Sequence, residues 1–214
     1  MFTVTSFTFS PIAENTYVLH NETGDCIIID PGCYFGNERR ELAEYIAEKR
    51  LRPKYLLNTH CHLDHVFGNK FIHDTWQLEL YIHPNEQIML ENAPAAGLSW
   101  GMPFDNYKGP LHFLREGEQI RLGTDALKVL LAPGHSPGHC CFYCQGQDFV
   151  IGGDVLFKMS VGRTDLPGGD AETLFSSIRQ VLYVLPDNTV VYPGHGEPTS
   201  IGFEKTNNPY VKLA

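Results

Sequence analysis

Basic clusters are missing from this chain. Its 16 Lys and Arg are outnumbered by 25 Asp and Glu, for a formal net charge of −9. Phosphate binding relies on gathered cations, so nucleic acid and anionic membrane are not expected as partners, and a small molecule is. No run approaches the ~18 apolar residues of a membrane span. The opening residues, Met1-Phe2-Thr3-Val4-Thr5-Ser6-Phe7-Thr8-Phe9, alternate like a strand. They lack the basic start and unbroken apolar segment of a signal peptide, so a cytoplasmic location is expected. The chain has six cysteines. Cys141 and Cys144 form a C-x-x-C, but within an alternating run, where positions three apart face opposite ways. Buried reduced thiols are therefore expected, not a redox pair. No linker interrupts the chain, so residues 1–214 are read as a single domain. A compact fold of this length buries on the order of 70% of its unfolded surface, enough for a real core.

What is present alternates between strand and helix patterns. Residues 2–9, 16–20 and 26–30 read as antiparallel strands separated by turn-rich segments. Residues 37–50 follow as an amphipathic helix, 54–58 as a strand, 65–72 as a short helix, 79–83 as a strand, and 84–92 as a helix opening on Pro84. Residues 93–114 show no clean period; a segment of this length is either a rim or lid over a pocket, or packing against the core. Strands follow at 119–122, 126–131, 139–144 and 149–151, then a helix over 171–185 with Asp170 as N-cap, and a strand at 189–192. Two strand-rich halves with covering helices imply two sheets face to face with helices outside.

One stretch concentrates ligand chemistry. Thr59-His60-Cys61-His62-Leu63-Asp64-His65 holds three imidazoles and a carboxylate directly after a strand. Carried on a loop, His60 and His62 can face one metal while Asp64 and His65 face another, and imidazole with carboxylate suits Zn²⁺, Mn²⁺ or Fe²⁺. A His-rich surface loop is the rival reading. Three later motifs weigh against it, each placing a ligand at a strand end beside Gly or Pro: Pro133-Gly134-His135-Ser136-Pro137-Gly138-His139, Gly152-Gly153-Asp154, and Pro193-Gly194-His195. Taking His139 and His195 with the first cluster gives each metal three protein ligands, and Asp154 can bridge. Asp30, at the end of the third strand in Asp30-Pro31-Gly32, either orients a metal-bound His or simply forms the turn. His20, His73, His83 and His112 lack partner motifs and are read as surface or packed residues.

With these motifs the chain resembles a metallo-β-lactamase-fold hydrolase, and within that superfamily the glyoxalase II group, the hydroxyacylglutathione hydrolases. The resemblance runs from Asn15-Thr16-Tyr17 and Ile29-Asp30-Pro31-Gly32 through Gly152-Gly153-Asp154-Val155-Leu156-Phe157. It implies an α+β fold, an αββα sandwich of two mixed sheets. It assigns His60, His62 and His139 to one divalent metal, Asp64, His65 and His195 to a second, and Asp154 to both, with His135 left structural. Zn²⁺ is the expected metal, with Fe²⁺ or Mn²⁺ as alternatives.

The implied reaction is cleavage of a small 2-hydroxyacyl thioester, S-D-lactoylglutathione or a similar compound, by a metal-bound hydroxide that Asp64 or Asp154 orients. A thiol leaving group with a pKa of about 8.5 needs little acid assistance, and the motifs supply no obvious extra acid. The resemblance also points to Lys158 and Lys205 as substrate-binding residues. The basic C-terminal extension that serves glutathione in this group has little counterpart here, so thioesters of other thiols, or another small acyl compound, stay open. Two other readings remain. One is a persulfide dioxygenase of the same fold, using a single Fe²⁺ on His60, His139 and Asp154; it shares the HxHxDH run and Gly162-Arg163-Thr164-Asp165. The other is a non-catalytic module held together by metal. Oligomeric state is not legible in the sequence.

Overall fold

The computed structural model describes residues 1–211. The chain divides into two compact units, Met1–Leu114 with Arg121–Asp125, and Arg115–Ile120 with the chain from Ala126 onward.

The first unit is built on a mixed six-stranded sheet in the order β1-β2-β3-β4-β5-β6. Its strands are β1 (Thr3–Phe9), β2 (Glu14–His20), β3 (Asp25–Ile29), β4 (Arg52–Leu57), β5 (Leu80–Ile82) and β6 (Leu111–Phe113). β1 to β3 pair antiparallel, whereas β3 to β6 pair parallel. The parallel pairs need crossovers, and helices supply them. These are α1 (Gly36–Glu48), α2 (Leu63–Val66), α3 (Asn69–Trp76) and α4 (Gln87–Ser99), the last entered through the tight turn Pro84–Glu86. Val18, Ile28, Leu56, Leu80 and Ile82 from the strands pack with Leu42, Ile46, Ile72 and Leu90 from the helices to form its core. β3 is apolar at four successive positions, Cys26 to Ile29, all buried, the pattern of a strand covered on both faces.

In the other six-stranded sheet the order is β14-β13-β10-β9-β8-β7. It comprises β7 (Gln119–Leu122), β8 (Asp125–Leu131), β9 (Cys140–Cys144), β10 (Phe149–Gly153), β13 (Val190–Pro193) and β14 (Thr199–Ser200), while β11 (Leu156–Phe157) and β12 (Ser160–Val161) form a small hairpin. α5 (Ala171–Ser177) begins at Asp170, whose Oδ1 accepts from Thr173 N at 2.7 Å, and α6 (Ile201–Asn207) begins at Ser200. Leu130, Cys141, Val150 and Val191 pack against Leu174, Ile178, Leu182 and Ile201. All six cysteines are buried, and Cys140 and Cys141 donate their thiols to the carbonyls of Gly138 and Gly152.

Three sequence expectations are corrected here. Asp64 and His65 lie on the one-turn helix α2, not on a loop, and the helix read over 65–72 is two helices broken near Gly68. The chain packs closely at that point: a Cβ at Gly68 would lie 2.5 Å from Cys33 Sγ and 2.6 Å from Pro31 O, so only glycine fits. α4 runs straight through Pro94 to Ser99. Proline cannot donate to the carbonyl four residues back, so Leu90 O accepts instead from Asn106 Nδ2 at 2.7 Å. Helix 171–185 ends earlier, its last part being a wider π turn over Ile178–Leu182. Met102, Asn106 and Tyr107 are buried, so the aperiodic segment packs on its own core.

Candidate metal centre

The first unit gathers His60, His62, Asp64 and His65 behind β4, all buried. The His60 ring lies 4.7 Å from that of His62 and 4.1 Å from that of His65, centroid to centroid. Asp30, His60 and His65 each present a ligand atom within 4.8 Å of the others. Buried neutral imidazoles and carboxylates converging in this way fit a divalent transition metal.

Asp30 anchors the segment that carries these histidines. Its Oδ1 accepts from Thr59 N at 2.7 Å and Asn58 Nδ2 at 3.2 Å, and its Oδ2 accepts from Thr59 Oγ1 at 2.6 Å. With its proton committed to Asp30, the Thr59 hydroxyl can only accept from His60 Nδ1, 3.1 Å away. His65 Nδ1 lies 3.1 Å from Asp30 Oδ2. His60 thus carries its proton on Nδ1 and leaves Nε2 available to the site, the arrangement that fixes a metal-binding tautomer. Asp30 holds a left-handed backbone at φ 49°, which Asp tolerates better than bulkier residues.

Gly32 and Glu14 sit beneath this cluster. A Cβ on Gly32 would come within 2.0 Å of Glu14 Oε2 and 2.7 Å of Asp64 O, so only glycine fits there. Glu14 is fully buried, its Oε2 accepting from Thr16 Oγ1 at 2.9 Å. Burial pushes its carboxyl well above the usual range, with the nearby His65 partly opposing the shift. The folded metal-free protein therefore holds a proton that the unfolded chain releases near the ordinary value of 4.5. That stability is present at low pH and is lost as pH rises through the elevated folded value. Glu14→Gln has no proton to lose. Melting of both chelated proteins from pH 5 to pH 8 is expected to show the variant gaining on wild type as pH rises; parallel curves would contradict this.

The second unit contributes His135, His139, Asp154 and His195, and its geometry corrects one assignment. His139 was expected as a ligand, yet its Nε2 accepts from Asp154 N at 3.0 Å. That bond uses the lone pair a cation would need, and it fixes the backbone of Asp154. His135, expected to be structural, has its Nδ1 2.7 Å from Arg163 O, a carbonyl that can only accept. Its proton is therefore on Nδ1, and Nε2 faces Asp154 Oδ2 at 3.6 Å. Asp154 Oδ1 lies 3.0 Å from His195 Nδ1. His135, Asp154 and His195 converge, while His139 stands behind them. Gly162 presses on the same residue, since a Cβ there would lie 1.8 Å from Asp154 O.

The two lysines expected to bind substrate already have anionic partners. Lys158 Nζ is 2.8 Å from Glu197 Oε2, and Lys205 Nζ is 2.6 Å from Asp187 Oδ1 with a further contact to Leu185 O. Glu14, Thr59 and the role of His139 carried no motif in the sequence. Glu14 bonds Thr16 within the same strand, Thr59 reaches Asp30, and His139 acts through a backbone group.

Residues 10–195 match the family model for the metallo-beta-lactamase superfamily. The chain belongs to this superfamily. It is a metallo-hydrolase of the metallo-β-lactamase fold, with two mixed sheets and helices, and its His/Asp set fits a two-metal site. The chain is 38% identical to YqgX, a probable metallo-hydrolase of Bacillus subtilis, over 94% of this chain and 93% of that one. It is 36% identical to the hydroxyacylglutathione hydrolase GloC of Haemophilus influenzae, over 92% of each. Among solved structures, the BLEG-1 B3 metallo-beta-lactamase superposes with a TM-score of 0.90 at 35% identity, covering 99% of this chain and 100% of that one. TTHA1623 in a di-iron-bound form gives 0.86 at 38%, covering 96% and 99%. ETHE1 from Myxococcus xanthus gives 0.80 at 28%, covering 98% and 84%. Among the described residues, no helix of this metallo-hydrolase is long and apolar enough to cross a membrane.

Proposed function

We propose that this superfamily member hydrolyses a small thioester of the S-D-lactoylglutathione type in the cytoplasm, with two divalent cations as cofactors, Zn²⁺ first among them. The observation that carries this reading is the likeness to GloC over 92% of each chain, together with the oriented imidazoles of His60 and His135. Within the first unit His60 and His62 would hold one cation and Asp64 and His65 another; within the second, His135, Asp154 and His195 offer the same kinds of ligand. Bound cations supply Lewis acidity and lower the pKa of water from about 15.7 toward 7. Asp30, through Thr59, keeps His60 in the productive tautomer, and the Arg163 carbonyl does the same for His135. Asp64 accepts and directs the proton of the attacking water, while His139 holds the Asp154 backbone in place. A thiolate leaves without a proton donor because its conjugate acid has a pKa of about 8.5.

The discriminating experiment compares a thioester with its oxygen-ester isostere. An alkoxide is a far poorer leaving group, so the thioester is expected to react at least about 100-fold faster. Equal rates would count against a site that lacks an acid. The likeness to ETHE1 favours a second reading, a mononuclear-iron persulfide dioxygenase. Oxygen uptake with glutathione persulfide by the Fe²⁺-loaded protein, without thioester turnover, would establish it instead.

A further inference from the structure

We propose that Glu86 is a positioning residue for the metal loop. The inference rests on the reading of His60 and His62 as ligands of one cation. Glu86 is fully buried, and its Oε2 accepts from Cys61 N at 2.8 Å. Cys61 is the residue between the two histidines. On this extended segment residues two apart share a face, so His60 and His62 point together, their rings at 89° to each other, and Cys61 points the other way into the core.

The peptide N–H of Cys61 is buried and must find an acceptor. Its partner is a carboxylate from another segment, not a neighbouring strand. Charge-assisted bonds of this kind are shorter and roughly twice as strong as neutral ones.

Glu86 is also held firmly. It ends the turn Pro84–Glu86, where His83 Nδ1 accepts from Asn85 N, and it leads directly into α4, anchored in the core by Leu90 and Ala93. Asp30 and Glu86 therefore divide the work: Asp30, through Thr59, fixes the tautomer of His60, and Glu86 fixes the backbone from which two of the rings project.

The test uses the full-length protein stripped of metal, with Co²⁺ as a spectroscopic probe and Zn²⁺ affinity measured against a chromophoric chelator. Three variants are compared with wild type. Glu86→Ala removes the acceptor and is expected to weaken Zn²⁺ binding by about 10–100-fold, the range for residues behind metal ligands, and to alter the visible Co²⁺ spectrum. Glu86→Gln keeps an amide oxygen for Cys61 N; it should retain the wild-type spectrum and recover affinity to within about tenfold. Glu86→Asp keeps the charge but withdraws the acceptor by one methylene, and should shift the spectrum even if Glu86→Ala fails to fold. A wild-type spectrum in both Glu86→Asp and Glu86→Ala would overturn the inference. So would equal losses of affinity in Glu86→Gln and Glu86→Ala with unchanged spectra, which would mark loss of charge alone. Failure of the wild type to take up Co²⁺ would overturn the ligand reading and the inference with it; normal uptake with indifferent variants would overturn the inference alone.

Discussion

Replacing His135 by Ala is expected to remove about one equivalent of bound metal and to weaken what remains by more than about 100-fold, beyond what residues behind ligands produce. Activity should fall with it. His139→Gln is expected to be far milder, within about tenfold in metal affinity, because a Gln side-chain oxygen can still accept from Asp154 N. The contrast follows from two bonds. His139 Nε2 is committed to Asp154 N at 3.0 Å, whereas His135 has its Nδ1 proton on Arg163 O and its Nε2 toward Asp154. Metal content of the two variants after identical reconstitution reads the difference directly. Loss of metal in His139→Gln with full loading of His135→Ala would restore the assignment expected from sequence.

Asp30→Ala is expected to produce the largest loss of stability. The carboxylate accepts from Thr59 N, Thr59 Oγ1 and Asn58 Nδ2 and lies 3.1 Å from His65 Nδ1, all in the interior. Removing it strands several buried donors, and breaking such a network costs about 3–5 kcal/mol. At about 2–4 °C per kcal/mol for a chain of this size, the melting temperature should drop by about 6–20 °C. Because Asp30 also sets the tautomer of His60 through Thr59, the variant should bind metal more weakly even where it remains folded. A drop below about 3 °C with unchanged metal affinity would show that Asp30 only forms the turn after β3.

Much of this was legible in the chain. The HxHxDH run, the Gly-rich loop that carries His135 and His139, the Gly-flanked Asp154 and His195, and the strand preceding each are local patterns, and the structure has each of these motifs following a strand. Asp30 was legible only as a pair of alternatives, because its orienting role depends on Thr59, 29 residues on. The choice between His135 and His139 was not legible. Both follow a Gly in the same loop, and they differ only in which backbone group each ring meets, Arg163 O or Asp154 N. Glu86 gave no signal because its partner is a peptide N–H 25 residues away. α4 was cut short at Pro94 because the donor that lets it continue, Asn106, is 16 residues from Leu90. β11, β12 and β14 span two residues each, too few to show a period. In each case the missed feature depends on a long-range polar contact or on an element too short for pattern to accumulate.

The lysines show where local pattern runs out for substrate recognition. Lys158 and Lys205 are held by Glu197 and Asp187, so an anionic substrate would have to displace those partners. Thiol-carrier specificity is therefore the part of the proposal furthest from the metal chemistry.

The most direct test of the central claim is the hydrolysis rate of S-D-lactoylglutathione by the full-length protein, reconstituted separately with Zn²⁺ and with Fe²⁺, with bound metal counted in the same samples. The account predicts about two equivalents of metal and a kcat/KM of about 10⁴ M⁻¹s⁻¹ or more with at least one of them. Fully loaded protein with negligible turnover under both metals would contradict it.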